Sequence, residues 1–403
     1  MLIVRIVGIC IFIILCDLNF LRAQQRKMSF EEMWSIALER NVQIRNAELL
    51  VEKSGAMGKT AWDFGPLEFD FTRGQQNSEL VDNMYTVRQG LGAPFTISAT
   101  RKFYESEQTF FKQNALKIAR EVKKELRSYY YSWLYERELM RILDSSIVIY
   151  QKSADFANLQ YEAGESNLLS KVILSSEVQK LIIRRDLHQV NLNTLQNQIH
   201  TLLNSDSMCI PGDSNLDKLL VLIPRDSTLY PIDSVPDVMA QRSQIDVMER
   251  YHKLVKSQIS PSLSAGYYNQ EIDQIPGYQG WRVGLSFPLL FMPQKARNQA
   301  AFIELSRAEN QYTHEKLKAT QEISSLLNKY DQMQKSIRFY EDERLENANL
   351  INQNAESLYK SGSIGYIEFV QNLTTSRQIR EEYVQLINEY NHFVIDLYYY
   401  LDY

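Results

Sequence analysis

The sequence predicts an α+β fold of long coiled-coil helices and four β-strands, laid out as two copies of one structural unit. Three observations predict it. Glycine and proline are missing from long blocks and crowded into short ones. Apolar residues in the long blocks recur in steps of three and four. Apolar residues in the short blocks alternate with polar ones.

The N-terminus comes first in chain order. Arg5 marks a short positive region, Ile6 to Leu15 are almost wholly apolar, and Leu21 and Ala23 suit a cleavage site. This predicts a secretory signal peptide over residues 1–23. The apolar run, about ten residues, falls short of the roughly twenty that a membrane helix needs. Cys16 is a poor lipid acceptor because Leu15 stands where a small residue is needed. Cleavage removes Cys10 and Cys16 and leaves Cys209 alone, so no internal disulfide is possible. No other stretch has the length of a membrane helix, so entry into a membrane requires a β-barrel.

The 403 residues suffice for two or three domains. The formal net charge of −5 offers no basic face, and no nucleic-acid partner is expected. Tyrosine, at 24 residues, is abundant and suits membrane interfaces and large assembly contacts.

No Gly or Pro occurs in 105–163, 165–210, 294–361 or 366–403. Such blocks predict long helices; the breaker-rich stretches 55–94, 211–236 and 261–293 predict strands and turns. The halves repeat at a spacing near 195 residues. Asn41-Val42-Gln43-Ile44 matches Val235-Pro236-Asp237-Val238, and Tyr161-Glu162-Ala163-Gly164 returns as Tyr359-Lys360-Ser361-Gly362. The first repeat covers 24–205: a helix, strands at about 67–73 and 83–91, and a helical hairpin over 105–204. A linker fills 206–234. The second repeat covers 235–403: a helix, strands at about 262–270 and 279–289, and a hairpin over 295–402.

In the helices, Ala119, Val122, Leu126, Tyr129, Trp133, Met140, Leu143, Ile147 and Tyr150 follow a seven-residue repeat. Ile323 to Tyr340 and Ile379 to Tyr400 do the same, which predicts seams for partner helices. The block 105–161 would extend for roughly 85 Å, longer than a compact domain is wide. An elongated wall fits it better than a bundle core. In the strands, Leu67, Phe69 and Phe71 oppose Glu68, Asp70 and Thr72. Trp281, Val283, Leu285 and Phe287 oppose Arg282, Gly284 and Ser286. Tyr85 and Val87, with Leu263, Ala265 and Tyr267, supply the other two strands. A barrel would turn the apolar face to lipid and the polar face to water. A soluble sheet packed on helices would alternate in the same way.

Four strands cannot close a barrel, and the smallest membrane barrels need about eight. An open edge in lipid leaves unpaired N–H and C=O groups, so sister chains would have to complete the sheet. Two copies give an eight-stranded barrel filled by side chains; a duct needs three or more.

In these features the sequence resembles the TolC-like outer membrane efflux proteins, over Ser29 to Tyr403. The resemblance rests on the repeat, on both tip motifs, and on the strand from Tyr278 to Leu289. Gly362-Ser363-Ile364-Gly365-Tyr366-Ile367-Glu368-Phe369-Val370-Gln371 resembles the heavy-metal members, the CusC/CzcC group. The resemblance implies a homotrimer in the bacterial outer membrane, with a twelve-stranded β-barrel continued by a coiled-coil tunnel in the periplasm. It implies a passive exit duct for cargo such as heavy-metal cations. Its implied partners are a periplasmic adaptor and an inner-membrane pump. Residues 74–83 and 269–279 would be the outward loops.

Gly164 and Gly362 stand where one long helix reverses into the next, a place that favours positive φ. Asn167 and Gly365 follow three residues later, and Asn167 suits a helix cap. The resemblance makes these tips the adaptor-docking end: Tyr161, Gly164, Asn167 and Leu168, with Tyr359, Gly362, Gly365 and Tyr366. A plain helix turn is the other reading. The resemblance also implies carboxylate rings just past the tips. Glu368 matches such a position, Gln371 stands where an acid is frequent, and Ser170 replaces the acid in the first half. These three mark an expected lumenal constriction, with a solvated helix position as the alternative for Glu368.

No enzyme is expected. His188, His200, His252, His314 and His392 lack metal-ligand spacing, and no phosphate loop, dinucleotide fingerprint or nucleophile elbow occurs. No cofactor is implied. A secreted coiled-coil scaffold without a pore is the competing function.

Overall fold

A computed structural model describes residues 26–77, 79–164, 167–205, 208–221, 230–287 and 291–401. The expected signal peptide lies outside the described residues. The chain divides into two compact units, and each takes segments from both halves of the sequence. Spatial units therefore cut across the repeats that the sequence delimits.

One unit combines the chain up to Arg45 with Ala119–Tyr230 and Gln321–Tyr403. Its elements begin with β1 (Arg26–Met28) and α1 (Phe30–Arg40). Ser29 opens α1 with a capping box: it accepts from the Glu32 N–H at 3.3 Å, and Glu32 accepts from the Ser29 N–H at 2.8 Å. Helix α2 (Val42–Gly58) follows after Asn41. The Asn41 side chain accepts from Gln43 and Ile44 N–H groups and donates to the Leu202 carbonyl, so both ends of a buried amide are engaged.

Helix α3 (Pro94–Glu162) enters this unit at Ala119, and α4 (Leu168–Leu203) lies wholly within it. Strand β4 (Cys209–Pro211) pairs in parallel with β1, so the expected linker 206–234 contains an ordered strand. Leu126, Tyr130, Trp133 and Leu134 of α3 pack with Met33 and Ala37 of α1 and Ile199 and Leu203 of α4. Arg127 is buried between the rings of Phe30 and Tyr398, at 4.4 and 4.6 Å. Its guanidinium pKa is lowered by burial.

The second-half helices end this unit: α6 (Phe291–Phe339) from Gln321 on, then α7 (Leu345–Lys360) and α8 (Tyr366–Leu401). Tyr340–Arg344, between α6 and α7, winds as a π-helix. Fully buried Asn391 of α8 holds the linker, accepting from the Leu219 N–H and donating to the Asp217 carbonyl, both at 2.9 Å.

The other unit comprises Asn46–Ile118 and Pro231–Thr320. It holds helix α5 (Pro236–Ser257) and a four-stranded antiparallel sheet. The sheet is β2 (Leu67–Gly74), β3 (Asp82–Gly92), β5 (Ser262–Ile272) and β6 (Ile275–Ser286), in the order β2-β3-β5-β6. All four expected strands are present. The tight turn after β5 corrects one expectation. Asp273 and Gln274 carry φ of 53° and 64°, so strand pairing continues to Ile272↔Ile275 where a loop over 269–279 was expected. Residues 288–289 of the last expected strand lie outside the described residues.

The long helices begin before the expected 105 and 295. Pro94 opens α3 and Pro293 falls in the first turn of α6. Proline at a helix start gives up only an N–H that would have no intrahelical partner. Residues 95–104 also lack Gly and Pro, so the breaker-free block runs back to Pro94 itself.

Candidate functional site

Two features stand out, one in each unit. The first is the two-faced sheet. Its cross-strand register aligns Phe69, Val87, Tyr267 and Trp281 in one row and Leu67, Gln89, Ala265 and Val283 in the next. These share a face, because directly paired residues point the same way. Trp281 is 82% exposed and Val283 78%, and Leu67, Phe69, Phe71, Leu285 and Phe287 are exposed as well. Phe71 stacks on Tyr85 at 4.9 Å, and Tyr267 meets Trp281 edge-on at 5.3 Å. The opposite face aligns Glu68, Arg88, Gly266 and Arg282, then Asp70, Thr86, Tyr268 and Gly280. Arg88 donates to Glu68, and Arg282 lies over the Tyr268 ring at 5.6 Å. The strand order leaves β2 and β6 as edges without a ladder partner among the described residues.

The second feature is the pair of helix reversals in the helical unit. Gly164 has φ 75° and Gly362 has φ 74°. The Gly164 N–H donates to the Tyr161 carbonyl and the Gly362 N–H to the Tyr359 carbonyl, each at 3.0 Å. The Ser363 N–H reaches back to the Leu358 carbonyl at 2.9 Å, completing a Schellman closure of α7. Asn167 caps α4, its side chain accepting from the Ser170 N–H at 2.9 Å. Gly365 takes the same place before α8, where its carbonyl accepts from the Phe369 N–H at 3.0 Å.

Both reversals rest on one core. Ala154 and Ala157 of α3, Leu174 and Val178 of α4, and Phe369 and Leu373 of α8 belong to a single buried cluster. Tyr359 stacks flat on Phe369 at 4.5 Å, Phe156 meets it edge-on, and burial raises the Tyr359 pKa. Tyr161 is exposed, with Lys171 5.3 Å from its ring centroid. Leu168 is exposed and Tyr366 is half-buried. Phe156, Phe369 and Lys171 were not anticipated. Phe369 carries a signal in retrospect, since it follows the Tyr359–Gly362 reversal in the first turn of α8, whereas Phe156 belongs to α3 and meets Tyr359 only through packing.

The three constriction residues separate. Glu368 and Gln371 are exposed on α8. Ser170 is buried, and its hydroxyl donates to Asn167 at 2.9 Å. Ser170 therefore serves the cap of α4 and does not share the exposure of the other two. Among the described residues, no helix is long and apolar enough to cross a membrane, and no cluster of three His, Cys, Asp or Glu could hold a metal ion.

No protein-family model matches the sequence, and no curated protein matches it. Solved structures do match its fold. The outer membrane protein VceC from Vibrio cholerae superposes with a TM-score of 0.75 at 13% identity, over 92% of this chain and 95% of that one. The CmeC outer membrane channel of Campylobacter jejuni gives 0.78 at 11% identity, over 92% and 85%. CusC, described for its folding and transmembrane channel formation, gives 0.77 at 15% identity, over 93% and 92%. The chain has the fold of the TolC-like outer-membrane channels. The match covers 92–93% of this chain.

Proposed function

We propose that the protein is the outer-membrane channel of a tripartite efflux system. Three copies, each a two-fold repeat, close a twelve-stranded barrel in the outer membrane, and their long helices form a periplasmic tunnel. The chain is a passive duct and not an enzyme. An inner-membrane pump supplies energy, and a periplasmic adaptor docks at the reversals around Gly164 and Gly362. Heavy-metal cations are the cargo class suggested by the resemblance of the second tip to the CusC/CzcC group.

One observation carries this reading: a four-stranded sheet has an apolar face whose edge-strand residues are exposed, a polar opposite face, and two edges without a ladder partner among the described residues. In water an apolar patch of this extent is a liability. In lipid it is the required surface, and the edges require sister strands. Fractionation and bilayer recording test it together. The expected outcome is outer-membrane localisation, a trimer in mild detergent and stepwise conductance in planar bilayers. A monomer soluble in the periplasm would establish the pore-free scaffold instead. Deletion of the gene, followed by a toxicity screen over metal ions, detergents and drugs, identifies the cargo.

A further inference from the structure

We propose that a small cavity between α3, α7 and α8 binds a tetrahedral oxyanion, with inorganic phosphate as the simplest case. The cavity lies within the helical unit and holds about 140 Å³. That is several times one water's share of roughly 30 Å³. Arg141 of α3 and Arg377 and Arg380 of α8 line it, with Asn352 of α7. Glu138 is the acid among its lining residues, and it is taken by Arg141 at 2.9 Å.

The charges around the cavity do not balance. Arg377 has a side chain only 5% exposed and pairs with Glu381 at 2.9 Å. Glu381 is shared, since Arg184 reaches it at 3.2 Å. Among the residues that line the cavity, three arginines thus face one glutamate, Glu138. The buried Nε of Arg377 has no hydrogen-bond partner. Arg380 donates to the neutral Asn349 amide oxygen at 2.8 Å.

A buried guanidinium N–H without an acceptor is costly, and an anion would satisfy it. The donors also select the ligand. Ser145 and Ser146 spend their hydroxyl protons on the Arg141 and Ile142 carbonyls, both at 2.9 Å. Tyr150 is engaged with the Val370 carbonyl and Thr374. Arg141 is itself held by Glu138 and by the Ser214 carbonyl at 3.1 Å and contributes its charge. The guanidinium groups of Arg377 and Arg380 and the Asn352 amide remain, and such planar donors match the paired oxygens of phosphate or sulfate better than a spherical chloride. The site draws on both halves of the chain, because α3 belongs to the first hairpin and α7 and α8 to the second. A bound oxyanion would add a tie between the hairpins beside the Tyr150 hydrogen bonds. This inference does not depend on the channel function.

Calorimetric titration of the full chain with sodium phosphate, at ionic strength matched with sodium chloride, tests it. The expected result is one saturable site per chain and a thermal midpoint that climbs with the logarithm of phosphate concentration above the chloride control. Phosphate also stabilises proteins generally by exclusion from their surfaces. The double variant Arg141→Gln/Arg380→Gln separates the two effects. It should lose the saturable heat and most of the midpoint increment, while the milder Arg380→Lys keeps charge, loses the fork and binds at least tenfold more weakly. Superimposable phosphate and chloride curves in the wild type would overturn the site. So would an undiminished phosphate response in the double variant.

Discussion

At the scale of single residues, backbone handedness decides more than side-chain chemistry. An added Cβ at Gly362 meets no atom within 4 Å, so its constraint is conformational and not steric. A left-handed φ costs a non-glycine residue about 1–2 kcal/mol. Gly362→Ala should lower stability by about that amount in denaturant unfolding. Gly365→Ala should leave it nearly unchanged, because Gly365 has open space and no left-handed φ. His392 sets a pH dependence. Its ring nitrogens lie 3.1 Å from the Ser128 hydroxyl and 3.0 Å from that of Ser132. Burial lowers its pKa below the ordinary 6.5, and Asp396 only partly opposes this. Between the lowered folded pKa and 6.5 the unfolded chain binds more protons, so stability falls as pH falls through that window. The thermal midpoint of the wild type should drop on acidification below pH 6.5, and His392→Gln should drop less. Equal slopes would mean that other groups govern the acid response.

At the scale of elements, the β5–β6 hairpin shows what a sequence hides. Alternation exposed both strands, because period two survives any uncertainty about their ends. The turn stayed hidden because Asp273-Gln274 is a weak turn signal beside Pro276-Gly277. Yet both turn residues have positive φ, the requirement of a type I′ turn, for which Asp-Gly is among the best pairs. Relief of the left-handed penalty, about 1–2 kcal/mol, outweighs the added chain entropy of glycine, about 0.5–1 kcal/mol, so Gln274→Gly should stabilise the hairpin by about 0.5–1 kcal/mol, read as a raised unfolding midpoint. The reversals were more legible. A glycine in a breaker-free block signals positive φ, and an Asn three residues later signals a cap. The arginine cavity was not legible, because Arg141 and Arg377 meet only through packing of helices distant in sequence. The apolar sheet face offers a sharper test of environment. Val283→Arg should cost about 2–4 kcal/mol if the face meets lipid near the bilayer midplane. It should be almost neutral if the face meets water. Unfolding of lipid-reconstituted protein distinguishes the two.

At the scale of the whole molecule, the unpaired edges govern assembly. Strands β2 and β6 are different strands, so a contact between them joins one copy's β6 to the next copy's β2. Such a head-to-tail contact either closes into a ring or grows without limit. Antiparallel pairing throughout a four-stranded sheet sets β6 against the direction of β2, so the next copy continues the alternation without a break. Cysteines placed at Phe69 or Phe71 on one edge and Trp281 or Val283 on the other should cross-link between copies on oxidation. Buried Cys209 stays out of the reaction. The expected product is a covalent ladder that stops at three chains. A ladder running past three would indicate open sheet growth, and no cross-link at any pair would mean that these edges do not meet. A ladder stopping at two would give eight strands, a barrel whose interior side chains fill, and that would exclude transport through it.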